Sequence, residues 1–98
     1  MAVVREGARV EVALAGELDA YSAPRMREGM AGLGEIAGRH VVLDLAGIGF
    51  IDSAGMAAIV STLRDVRAAD GAVTVRAMTP QVHKLFEITG LSRLFPVE

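Results

Sequence analysis

The order of patterns along this chain predicts an α/β fold: one domain on a mixed β-sheet, with an N-terminal hairpin and parallel strands linked by helices. Two observations carry this. Short β-branched runs alternate with stretches of helical spacing, as in crossover units that bring each strand back parallel to the last. The most apolar run, Val41-Val42-Leu43 with Leu45, is too short for a helix, and it leads to Met56, Ile59, Val60 and Leu63, spaced as one helix face. A chain of 98 residues, 52% of them hydrophobic, fits a single small domain.

In order, 2–4 and 10–14 read as strands around a turn at Glu6-Gly7, with Val10, Val12 and Leu14 on one face. Gly16-Glu17-Leu18-Asp19 leaves the sheet, and Ser22 with Pro24 marks a helix start. Met26, Met30, Leu33 and Ala37 continue that helix, whose end is weakened by Gly29, Gly32, Gly34 and Gly38. After the strand at 41–45, a turn containing Gly47 and Gly49 follows, and Phe50 and Ile51 return to the core. Asp70-Gly71 turns the chain into a half-buried strand over 72–77. Thr79 caps a helix with Pro80 at its first position, an apolar stripe of Val82, Leu85, Phe86 and Ile88, and Gly90 as its stop. Leu91, Leu94 and Phe95 fold back over the core.

The chemistry concentrates at Asp52-Ser53-Ala54-Gly55. Asp52 or Ser53 is the N-cap of the central helix, which leaves a hydroxyl beside unpaired N–H groups and the positive end of the helix dipole, a place that receives an anion well. Functional loops of such sheets gather at the carboxyl ends of strands, so Asp19 and Ser53 are expected to be neighbours. Ser53 as a plain cap and Asp19 as a solvated loop acid are the simpler readings of the same residues.

Other function classes find little support. A net charge of −2 with scattered Arg residues argues against nucleic acid. With no cysteine, no apolar run near 18 residues and no charged-then-apolar leader pattern, a cytoplasmic protein without membrane association is expected. The G-x-G-x-x-A pattern over 32–37 precedes a strand rather than following one, so it does not predict a dinucleotide loop. A nucleophile elbow requires Gly where Ile51 stands, and nothing in the sequence brings His40 or His83 to Ser53 as a base, so no enzyme is expected. No metal or cofactor motif is present, and the Met residues read as core filler.

Three ordered blocks nevertheless resemble one family. LAGELDAYSAPRM (14–26), the hydrophobic strand with DSAG, and PQVHKLFEITGLSRLFPV (80–97) are similar to the first loop and helix, the signature turn and the closing helix and tail of STAS domains, in particular anti-sigma factor antagonists. The second small residue of that turn is often Ser in the family; here it is Ala54, which leaves one hydroxyl. The resemblance implies phosphorylation at Ser53 and a partner surface of Asp19, Tyr21, Asp52, Ser53, Ala54, Gly55 and Met56. It implies that the unmodified form binds an anti-sigma factor serine kinase and frees a sigma factor, that phosphorylation ends this, and that a serine phosphatase restores it. A STAS subunit of a transporter or sensor complex without phosphate cycling is the alternative within the family; a Ser53-nucleophile enzyme is the more distant one.

Overall fold

The computed structural model describes residues 2–32 and 38–98. They form β1 (Ala2–Glu6), β2 (Arg9–Leu18), α1 (Ala23–Ala31), β3 (His40–Ile51), α2 (Ser53–Ala68), β4 (Ala72–Arg76), α3 (Pro80–Thr89) and a 3₁₀ turn, Leu91–Arg93. The expected continuation of α1 through Leu33 and Ala37, and most of the G-x-G-x-x-A pattern, lie outside the described residues.

The sheet order is β1-β2-β3-β4, antiparallel between β1 and β2 and parallel thereafter. Because β2-α1-β3 and β3-α2-β4 step in the same direction, right-handed crossovers lay both helices on one face. Val10, Val12 and Leu14 of β2, Val41, Leu43 and Leu45 of β3, and Val73 and Val75 of β4 point into that layer and form one core with Met26, Ile59, Leu63, Val82 and Phe86. The chain beyond α3 returns along β4: the Val75 N–H donates to the Pro96 carbonyl (3.0 Å) and the Glu98 N–H donates to the Val75 carbonyl (2.9 Å), covering part of that sheet edge. The opposite face carries ion pairs instead of helices, with Arg76 reaching Glu11 (3.0 Å) and Asp44 (3.2 Å) and Arg9 reaching Glu98 (2.6 Å).

The sheet is longer at its carboxyl end than expected. β2 continues to Leu18 rather than leaving at Gly16, and β3 runs on to Ile51 through the anticipated turn at Gly47 and Gly49. Pairing shows how: Ala13 faces Asp44 and Ala15 faces Gly47, then Gly16 faces Ile48 and Glu17 faces Phe50. Each step inserts one extra residue into β3, a bulge. The two bulges change the inward period from two to three, so Leu45, Ile48 and Ile51 are all buried. Phe50 is thereby turned outward and is 46% exposed, against its expected place in the core. A Cβ on Gly47 would stand 2.9 Å from the Leu14 carbonyl oxygen, so the first bulge needs a residue without one.

Two smaller expectations also fail. Ile88 and Leu94 are exposed, because α3 and the following turn bury only Val82, Phe86, Leu91 and Phe95 fully. Phe86 and Phe95 pack as a tilted ring pair with centroids 6.2 Å apart, and that contact fixes the return of the tail.

Candidate functional site

A single residue, Asp52, separates β3 from α2. Its N–H donates to the carbonyl of Leu18 (3.1 Å), which ties the exit of β3 to the end of β2. Its backbone is extended, and its carboxylate accepts from the Gly55 N–H at 2.9 Å. Asp52 is therefore the N-cap and Ser53 the first helical residue, which resolves the choice the sequence left open. With capping done by Asp52, the exposed Ser53 hydroxyl makes no hydrogen bond among the described residues.

Gly55 is buried, and a Cβ there would fall 2.1 Å from the Leu18 carbonyl oxygen. The first turn of α2 thus sits on the end of β2 at a distance only glycine permits. Ala54 and Met56 are half-buried, Met56 against the core.

Asp19 is the organiser of the β2–α1 loop rather than a solvated acid. Its Oδ1 accepts from the N–H groups of Tyr21 (3.0 Å) and Ser22 (2.9 Å). Ser22, which with Pro24 marks the helix start, immediately precedes α1 as expected; its backbone is helical and it makes no cap bond, and its hydroxyl donates to the Glu17 carbonyl (2.6 Å) and accepts from the Asp19 N–H (3.0 Å). Tyr21 is held outward, 76% exposed, with the Arg25 guanidinium 5.1 Å from its ring centre. Ala20, Ala23, Pro24 and Arg27 line one shallow depression together with Ala54 and Ala57, so this loop and the start of α2 share a surface. His40 is hydrogen-bonded to Thr74 (2.8 Å) and His83 pairs with Glu87 (3.3 Å).

The hydrogen bonds from Ser22 and Tyr21 hold the Asp19 carboxyl below its ordinary value of 3.8. A depressed folded-state pKa lends stability that is fully present above the unfolded value and is lost as pH falls through the folded one. Asp19→Ala is therefore expected to be less stable than the parent at neutral pH, with the gap closing on acidification below pH 3.8, read from melting curves across a pH series.

Phe50, expected in the core, and Arg25, beside the Tyr21 ring, are exposed at this end of the domain. The glycine pair flanking Ile48 is the trace that Phe50 left in the sequence, since glycines within a strand mark bulges.

The model of the STAS domain family matches residues 1–98, the whole chain. This protein belongs to the STAS domain family. Among curated relatives, this STAS domain is 31% identical over 87 residues to the anti-sigma-B factor antagonist of Staphylococcus aureus, a match covering 89% of this chain and 81% of that one. Among solved structures, it superposes on an anti-sigma factor antagonist from Mycobacterium paratuberculosis with a TM-score of 0.84 at 24% identity, covering 98% and 81% of the two chains. The Bacillus cell fate determinant SpoIIAA in its phosphorylated form gives a TM-score of 0.73 at 20% identity, over 99% and 89%. These likenesses establish the STAS fold over essentially the whole of this domain. Among its described residues, no helix is long and apolar enough to cross a membrane.

Proposed function

We propose that this STAS domain is an anti-sigma factor antagonist switched at Ser53. The unmodified form binds an anti-sigma factor that is itself an ATP-dependent serine kinase and thereby frees a sigma factor in the cytoplasm. The Ser53 hydroxyl then attacks the γ-phosphorus of ATP, ADP leaves, and the hydroxyl proton passes to the kinase; the phosphorylated domain lets go. A serine phosphatase reverses the step by hydrolysis. The chain is the substrate of both enzymes and no catalyst.

The observation that carries this is the exposed Ser53 hydroxyl, which makes no hydrogen bond among the described residues while Asp52 supplies the cap. A phosphate there brings about −1.5 to −2 charges at pH 7 without breaking any bond that holds the turn. Its place beside Asp52, with Asp19 on the adjoining loop, builds an acidic patch that a bound partner would have to desolvate.

The test is incubation with purified anti-sigma factor kinases and ATP, followed by intact mass and phosphopeptide mapping. One phosphate is expected, on Ser53, and none on Ser53→Ala. A phosphate on another residue, or none with any kinase, would overturn the reading.

A further inference from the structure

Phe50 is a ring the core does not use. The second bulge in β3 gives the buried position to Ile51, 3% exposed, and turns Phe50 onto the helix-free face. Opposite it across the β2–β3 pair stands the exposed Glu17. Beyond Phe50 come only Ile51 and the cap residue before Ser53, so it stands at the carboxyl end of β3, three residues before the serine.

We infer that Phe50 is an anchor for the anti-sigma factor kinase, entering an apolar socket on the kinase whose rim is cationic. This rests on the antagonist reading and adds to it a residue and a chemistry for the partner. The occupant follows from position and charge. Phe50 is continuous in the chain with Ser53, so a kinase that engages the serine comes against the end of β3. The carboxylate beside the ring, Glu17, calls for Lys or Arg on the surface that faces it. An aromatic ring desolvated inside a ring of polar contacts is the commonest form of an interface hot spot, and the charged rim governs the rate of encounter.

The bulge gives the inference structural content. A regular strand would alternate Phe50 and Ile51 without the one-residue offset from β2, whereas the extra residue sets both where they are, and bulges beside functional sites commonly re-aim a side chain.

The experiment is calorimetric titration of Phe50→Ala, Phe50→Tyr, Glu17→Lys and Ser53→Asp against each purified anti-sigma factor kinase of the source organism. Ile88→Ala, which changes an exposed apolar residue on α3, serves as the comparison. Phe50→Ala is expected to lose at least about tenfold in affinity with its melting temperature within a few degrees of the parent. Ile88→Ala binds as the parent does, and Phe50→Tyr falls between the parent and Phe50→Ala, because its hydroxyl would enter an apolar socket. Glu17→Lys binds more weakly than the parent at low salt, with the difference shrinking as salt is raised, which tests the same surface without altering the ring. If Phe50→Ala and Glu17→Lys bind like the parent while Ser53→Asp does not, the anchor is wrong and the antagonist reading stands. If the parent binds none of the kinases, the antagonist reading falls and the anchor with it.

Discussion

Gly55→Ala is expected to be the most damaging single methyl in the chain. The added Cβ would lie 2.1 Å from the Leu18 carbonyl oxygen and 2.8 Å from its carbon, and the group it meets is backbone rather than the end of a flexible side chain. Relief requires α2 to move off the end of β2. That movement pulls on the Asp52 N–H bond to the same Leu18 carbonyl and on the Asp52 cap to Gly55. Overpacking of this kind costs about 1–3 kcal/mol and occasionally more. In a domain of this size each kcal/mol is about 4–8 °C, so a fall in melting temperature of roughly 4–24 °C is expected. The glycine of the DSAG turn is then a packing requirement. Thermal melting followed by circular dichroism decides it; a Gly55→Ala domain that melts with the parent would show that the helix and strand do not need this approach.

The parts of the fold that could be read from the sequence are those governed by simple periods. Val10, Val12 and Leu14 alternate and are buried together; Thr79 caps α3, accepting from the Val82 N–H, and Gly90 ends it with φ near 80°. The end of β3 could not be read this way, because two bulges replace a period of two with one of three, and a local pattern of Gly-Ile-Gly-Phe-Ile looks like a turn. Register lives in the partner strand, and no window on β3 alone contains it. The site was legible in part for the same reason. Asp52 and Ser53 are adjacent in the chain, and capping preferences narrow their roles to two. Asp19 was harder: a lone loop acid gives no sign that its carboxylate gathers the N–H groups of Tyr21 and Ser22, or that Ser22 bonds back to Glu17 instead of capping its own helix. Those bonds depend on the chain doubling back at the end of β2, a tertiary fact.

A phosphate on Ser53 is expected to give a domain that binds differently while folding the same. Ser53 is the first residue of α2, exposed, with its hydroxyl outside every bond that holds the turn. A negative charge at an exposed helix N-terminus is favoured by about 0.3–1 kcal/mol, which offsets part of the repulsion from Asp52. The phosphorylated domain is therefore expected to keep its amide NMR spectrum except near 16–21 and 49–58, with a melting temperature within a few degrees. Ser53→Asp is expected to follow it in part, losing at least about tenfold in kinase affinity, or 1.4 kcal/mol, because the new charge must be desolvated in the contact surface. Ser53→Ala removes a hydroxyl that makes no hydrogen bond among the described residues and is expected to bind as the parent does. Titration calorimetry on the two variants separates charge from a lost hydrogen bond: equal affinities would remove charge as the switch. Spectral changes reaching Leu43, Ile59 or Phe86 would place the effect in the core, and the phosphate would then work by reshaping the domain rather than by charging its surface.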